Sequence, residues 1–329
     1  MLNPVLKLNP KLFDENVEKD ATRTGYGTGL IKLGDTNPNV VALCADLTES
    51  TKVEAFAKKY SSRYFEVGVA EQNMATIAAG LAVSGKIPFI SSYATFSPGR
   101  NWEQIRTTIV YNNANAKIAG HHAGIMTGPD GATHQATEDI AITRVWPNIR
   151  VLVPCDALEG ERATILAGSV IGPVYIRFTR DKTPIITTSE TPFEEGKAYA
   201  YWIGENPQAT IFATGYMLYH ALLAAKQLEE EGINTEVLNI ASIKPLDTKF
   251  VIESVKKTRA AVSVEDHQVT GGLGGLLSEV FSEQLPTPLE RIGLQDVFGE
   301  SGKPDELLKK YNMDTPDIVS AVKKVIQRK

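Results

Sequence analysis

Three of the chain's five histidines fall in one polar stretch, H-H-A-G-I-M-T-G-P-D-G-A-T-H-Q at 121–135. His121, His122, Asp130 and His134 bring imidazole and carboxylate together, groups that bind metals and also move protons. Metal binding is one reading, but the spacing matches no compact zinc pattern. Acid–base work or phosphate binding suits the stretch better, because Gly124, Gly128 and Gly131 let the backbone approach a ligand. A second candidate is Glu71, in F-E-V-G-V-A-E-Q-N-M-A-T-I-A-A-G-L at 65–81. It stands where a helix begins, with Met74, Ile77, Ala78 and Leu81 at helical spacing behind it. A lone carboxylate there ordinarily complements the helix dipole. At the edge of a buried helix it can instead be desolvated and its pKa raised. Tyr93 and Phe96 follow an apolar run and are either core aromatics or a flat platform for a heteroaromatic ring. Arg23, Arg100, Arg177 and Arg180 are either solvated surface groups or forked ligands for a phosphate.

Such residues need a scaffold. V-V-A-L-C at 40–44, K-I-P-F-I-S-S-Y at 86–93, A-K-I-A-G at 116–120, V-L-V-P at 151–154 and V-Y-I-R at 174–177 read as strands. Helices are expected over 21–33, through Val53 and Phe56, behind Glu71, over 101–111, from Thr137 and over 158–169. This alternation makes a mostly parallel sheet covered on both faces. The polar turns at 46–50, 68–71, 93–96 and 121–135 all follow strands, so they can converge on the rim where ligands of such sheets gather.

Residues 1–19, with Pro4 and Pro10, read as an arm, and residues 20–180 as the first domain. D-K-T-P-I-I-T-T-S-E-T-P-F-E-E-G marks a linker at 181–197. A second α/β pattern fills 198–329, with strands at 208–215, in T-E-V-L-N-I and in A-A-V-S-V-E, and helices over 216–231, 272–283 and 316–326. V-E-D-H-Q-V-T-G-G-L-G-G at 264–275 lacks the dinucleotide spacing and reads as a structural turn with tight helix packing.

Composition limits the function classes. A length of 329 residues suits two domains, and a net charge of −5 without a basic run argues against nucleic-acid binding. Cys44 and Cys155 are far apart and read as reduced, buried thiols. No stretch reaches the ~18 uninterrupted apolar residues of a membrane span, and the N-terminus lacks a signal-peptide core. The expected location is the cytoplasm, with no membrane partner.

Taken in order, A-D-L-T-E-S, F-E-V-G-V-A-E-Q-N-M, S-S-Y-A-T-F, G-R-N-W-E-Q-I-R, G-P-D-G-A-T-H-Q and V-P-C-D resemble the C-terminal half of transketolase. The later K-P-L-D and E-D-H-Q-V-T-G-G-L-G-G are similar to that family's C-terminal domain, so the resemblance covers nearly the whole chain. It implies a pyrimidine-binding domain followed by a C-terminal domain, and thiamine diphosphate as cofactor. In the family the diphosphate and Mg²⁺ are held by another domain, which carries a G-D-G motif. No G-D-G occurs here, and P-D-G at 129–131 belongs to a different loop. The resemblance therefore implies one subunit of a split transketolase, an N-terminal-half partner and an α₂β₂ assembly.

Residue by residue, Glu71 matches the family's catalytic glutamate, a carboxylic acid that would hydrogen-bond the cofactor's pyrimidine ring nitrogen. Tyr93 and Phe96 match the aromatic pocket around the pyrimidine, and Asp46 an acidic residue near the cofactor and the interface. His134 matches the group that would bind the donor's C1 hydroxyl and reacting oxygen and assist proton transfer. Asp130 matches the ligand of the C2 hydroxyl. Arg23, Ser50, His122 and Arg180 fall on the sugar-phosphate positions, a chemically sensible set for a dianion. The expected reaction moves a two-carbon ketol unit between phosphosugars. Split relatives that act on apulose phosphate or sulfofructose are one alternative, and a non-catalytic regulatory or assembly subunit is another. The deoxyxylulose-phosphate synthase and the pyruvate dehydrogenase β subunit share the fold.

Overall fold

The computed structural model describes residues 1–329. V-V-A-L-C forms the strand Val40–Cys44, with all five residues buried, as a strand covered on both faces requires. Tyr64–Glu66 flanks it on one side. On the other lie Ile87–Tyr93, Lys117–His121, Val174–Arg177 and Arg150–Leu152, all parallel. Ser242–Lys244, from the second half of the chain, closes the far edge antiparallel. The register sets Tyr93 beside His121 and Gly120 beside Arg177, so the strands end together.

Helix Thr22–Thr36 lies against helix Ala157–Ser169, and its glycines make this possible. A Cβ on Gly25 would lie 1.8 Å from the Ala157 carbonyl oxygen, and one on Gly29 2.8 Å from the Thr164 Cβ. The glycines that weaken this helix as a local prediction are the ones that let it dock.

The second sheet runs Leu289–Leu294, Ala261–Gln268, Ala209–Ala213, Thr235–Asn239, Tyr199–Trp202, parallel except for the last. Residues 1–19 pack on this half. Asn3 donates its N–H to the Tyr201 carbonyl at 2.9 Å, and Leu6, Leu8 and Leu12 join a core with Trp202 and Met217. Within 181–197, Thr183–Pro184 pairs with Lys19–Asp20. There the buried Asp156 carboxylate accepts the N–H groups of Ile186 and Thr187 at 2.8 and 2.6 Å. Another core joins Ile118 and Val151 of the first sheet to Phe212, Ile243 and Val251 of the second half. Two sheets thus share apolar interior, which fixes their relative placement.

The structure differs from the sequence expectations in places. The 101–111 helix begins as Trp102–Gln104 and widens into a π-helical stretch, Ile105–Val110. The strand in A-A-V-S-V-E runs on to Gln268, so E-D-H-Q lies in the sheet and only the residues after it turn. Tyr199–Trp202, Ser242–Lys244 and Leu289–Leu294 were not expected; each is an edge strand, and edges need no continuous apolar run. Helices Thr248–Thr258 and Pro304–Lys310 were also not foreseen. No helix is long and apolar enough to cross a membrane.

Candidate active site

The C-terminal ends of the parallel strands carry the candidate residues, on the rim where such sheets bind ligands. Glu71 opens helix Glu71–Val83, whose Met74, Ala75 and Ala78 are buried behind it. Its side chain is 1% exposed. Oε2 accepts a hydrogen bond from Arg100 Nη1 at 2.7 Å, and the Ser92 hydroxyl lies 3.5 Å from Oε1. Asn101 Nδ2 donates to the Glu71 carbonyl at 3.0 Å. G-R-N-W thus fastens both the side chain and the backbone of Glu71. The Arg100 guanidinium also lies 4.3 Å above the centre of the Phe96 ring, a favourable cation–π distance.

Tyr93 and Phe96 form a nearly parallel pair, 5.9 Å between ring centres and 17° between planes. His122 stacks on Tyr93 at 3.8 Å, and His134 stands edge-on to both rings at 6.0 and 5.4 Å. Burial, with the Arg23 guanidinium nearby, pushes the His122 imidazole down to about 2, so it is neutral near pH 7. Its Nδ1 is buried with no partner. A ligand atom would satisfy that nitrogen. His121 lies elsewhere, packed against Tyr26 and Phe178 at 4.9 and 5.1 Å, with its pKa pushed well down by burial.

Two arginines continue the site. Arg23 donates to the Ser50 carbonyl at 2.6 Å and to the Arg180 carbonyl at 3.0 Å. Arg180 Nη1 donates to the Thr127 carbonyl at 3.1 Å, and its Nη2 lies 3.8 Å from Asp130 Oδ1. The Thr127 hydroxyl in turn donates to the His122 carbonyl at 2.5 Å. The structure therefore gathers Tyr93, Phe96, His122 and His134 in one aromatic group and Arg23, Ser50, Asp130 and Arg180 in one polar chain. Ser50 enters through its backbone carbonyl rather than its hydroxyl.

Asp46 makes no hydrogen bond or ion pair with either group. Its N–H donates to Glu66 Oε1 at 2.7 Å, and the same carboxylate accepts from Gly68 N, Thr48 and Tyr64. Burial raises the Glu66 pKa, but these hydrogen bonds outweigh it and hold the carboxyl below its usual value. Glu66 thereby ties the turn at 46–50 to the turn that leads into Glu71.

Two sequence readings change. Arg177 is not an exposed anion ligand: it is 4% exposed and donates to Asp139 Oδ2 at 2.8 Å and to the Asp266 carbonyl at 2.7 Å. The glycines of 121–135 bring the backbone close to the chain's own second half rather than to a ligand. A Cβ on Gly124 would lie 1.9 Å from Asp266 Oδ2, and one on Gly131 2.5 Å from Ser301 Oγ. Sequence reasoning also missed the pairing of Arg100 with Glu71 and the anchoring by Glu66 and Asp266. The residues stood in the quoted motifs; no spacing rule joins positions so far apart in sequence.

Known proteins resemble this chain along most of its length. The transketolase pyrimidine binding domain pattern matches residues 18–185, and the transketolase C-terminal domain pattern matches residues 198–318. A chain named as a transketolase C-terminal section, from Methanocaldococcus jannaschii, is 46% identical over 91% of this chain and 94% of its own length. A 6-deoxy-6-sulfo-D-fructose transketolase subunit of Clostridium sp. is 39% identical over 96% of this chain and 98% of its own length. Human transketolase is 36% identical, and the chain spans 50% of its length. A solved structure described as a split gene transketolase, inactive β4 tetramer, superposes with a TM-score of 0.87 at 46% identity, covering 93% of this chain and 98% of that one. The two family patterns, their order and the relatives of matching length lead to one assignment: the chain belongs to the transketolase family and comprises its pyrimidine-binding and C-terminal domains.

Proposed function

We propose that this chain is the C-terminal subunit of a split transketolase that transfers a two-carbon ketol unit between phosphosugars. The expected donor is xylulose 5-phosphate, and the acceptors are ribose 5-phosphate or erythrose 4-phosphate. The observation that carries this reading is the gathering of two guanidiniums near His122, those of Arg180 and of Arg23, which donates to the Arg180 carbonyl, beside the unpartnered Nδ1 of His122. Since His122 is neutral, the two arginines supply the positive charge for a phosphate dianion, and His122 supplies a directional hydrogen bond.

The family's cofactor, thiamine diphosphate, fits the residues present. The near-parallel Tyr93 and Phe96 rings suit a flat pyrimidine, and the buried Glu71 carboxyl can meet a ring nitrogen through Oε1 while Oε2 stays with Arg100. When bound, the cofactor supplies the carbon nucleophile of the reaction. Glu71 holds and exchanges the proton at the ring nitrogen. His134, beside both aromatic rings, is positioned to exchange a proton with the sugar's reacting oxygen. Asp130 orients the neighbouring hydroxyl, and its contact with Arg180 links that hydroxyl to the phosphate end. Diphosphate and Mg²⁺ belong to an N-terminal-half partner with a G-D-G motif, in an α₂β₂ assembly in the cytoplasm. Full-length coverage of the split relative described as an inactive β4 tetramer supports partner dependence.

The test is reconstitution. The purified chain should be inactive, and ketol transfer from xylulose 5-phosphate to ribose 5-phosphate should appear with the partner, thiamine diphosphate and Mg²⁺. Activity of the chain alone would sink the split-subunit reading. The 39% identical sulfofructose subunit favours a second reading, in which the same arginines meet a sulfonate. A donor panel including 6-deoxy-6-sulfo-fructose separates the two by kcat/KM. In either case Arg180→Ala should raise KM for the charged sugar by about 10- to 100-fold, the loss of one charge-assisted hydrogen bond. An unchanged KM would remove Arg180 from the anion site.

A further inference from the structure

The loop at 121–135 is held from outside its own domain. Asp266 lies in the strand Ala261–Gln268 of the second sheet and is 2% exposed. Its Oδ1 accepts the N–H of Ile125 at 2.9 Å, and its Oδ2 lies 3.4 Å from the N–H of Met126. Gly124 precedes these residues at φ +75°, ψ −174°, a region open essentially only to glycine. A Cβ there would lie 1.9 Å from Asp266 Oδ2, so the carboxylate reaches the two N–H groups only because residue 124 has no side chain. One residue further on, Thr127 accepts from Arg180 and donates to the His122 carbonyl. A second brace meets the other end of the loop, where Gln135 Nε2 donates to the Glu300 carbonyl at 2.9 Å.

We propose that Asp266 is a positioning residue: its carboxylate clamps the N–H groups of Ile125 and Met126 and so sets Thr127, His122 and Arg180 for an anionic sugar. This rests on the phosphosugar reading above and deepens it by giving the C-terminal domain a role in substrate binding. The clamp acts through backbone rather than on substrate. Glu71 sits on another element, where its carboxylate meets Arg100 and Ser92 rather than the loop. An acceptor-only carboxylate is the group that two adjacent N–H donors need. An asparagine of the same size offers one acceptor and turns an NH₂ toward the second donor.

Asp266→Asn tests the clamp twice. In the isolated chain, amide hydrogen exchange across 123–128 should quicken about tenfold, because a charge-assisted contact is lost, while the strand Ala209–Ala213 keeps its protection. In the reconstituted complex, KM for the phosphorylated donor should rise about tenfold with kcat nearly unchanged. A merely structural defect would lower the active fraction, and so kcat, without moving KM. Gly124→Ala attacks the same contact from the loop side and should shift KM likewise. Unchanged exchange in a folded Asp266→Asn variant overturns the clamp. Quickened exchange with an unchanged KM overturns its role in positioning. If the wild-type complex fails to use any anionic sugar, the functional reading falls, and the exchange measurement still decides on the clamp.

Discussion

Glu71→Gln should lower kcat by roughly 10²- to 10⁴-fold, the usual range for losing a positioned acid–base group, while leaving the fold and cofactor affinity nearly intact. Glutamine keeps the shape: its one carbonyl oxygen can still accept from Arg100, and its NH₂ can donate to the Ser92 hydroxyl. It cannot take up or release a proton. The measurements are steady-state turnover of the reconstituted complex and the rate of proton exchange at the cofactor's reactive carbon, followed by NMR. Both should fall together. The cost in stability should be small, within about 1 kcal/mol, because Arg100 is 44% exposed and water can solvate it once the charge opposite is gone. Near-normal turnover in a folded variant would refute the role given to Glu71. A large drop in melting temperature would instead mark the carboxylate as a structural group.

How far the site could be read beforehand depends on which contacts are local. The strand Val40–Cys44, the helix behind Glu71 and the strand Ile87–Tyr93 were legible, because apolar runs and helical spacing report burial along a few residues. So was the rim, since polar turns after parallel strands have one side to gather on. Phe96, His122 and His134 do all come within ring contact of Tyr93. What stayed hidden depends on partners from other elements. Arg177 and Arg180 are three residues apart and looked alike as anion ligands. One turns inward to Asp139, and the other stays at the rim with Asp130. Arg177 ends the strand Val174–Arg177 and Arg180 lies in the loop beyond it, and only the packed sheet shows which of the two meets the interior. Gly124 carries the same lesson: a glycine announces a close approach, and its neighbour, Asp266, lies more than a hundred residues further along the chain.

Arg177→Met should destabilise the chain by roughly 3–5 kcal/mol, the cost of leaving one member of a buried ion pair behind. That is a large share of the ~5–15 kcal/mol that holds a domain folded. Arg177 and Asp139 are 4% and 1% exposed, with Nε and Oδ2 2.8 Å apart. The Tyr175 hydroxyl donates to the same Oδ2 at 2.5 Å. Arg177 also donates to the carbonyls of Asp266 and Ala136, so it joins the second sheet to the end of the 121–135 loop. Denaturant unfolding should show a lower midpoint with an unchanged slope. The double variant Arg177→Met, Asp139→Leu should recover only part of the loss. It removes the stranded charge, but the Tyr175 hydroxyl and the Asp266 carbonyl lose their partners, at about 1–3 kcal/mol each, while the Ala136 carbonyl keeps the Gly124 N–H. A single variant that costs under about 1 kcal/mol, or a double variant no better than the single, would contradict this account. Two of the chain's arginine–carboxylate pairs, Arg100–Glu71 at 2.7 Å and Arg177–Asp139 at 2.8 Å, are nearly equal in length. Water reaches the first arginine and not the second. The same contact is therefore free to take part in chemistry at the rim, and is indispensable to the fold beneath it.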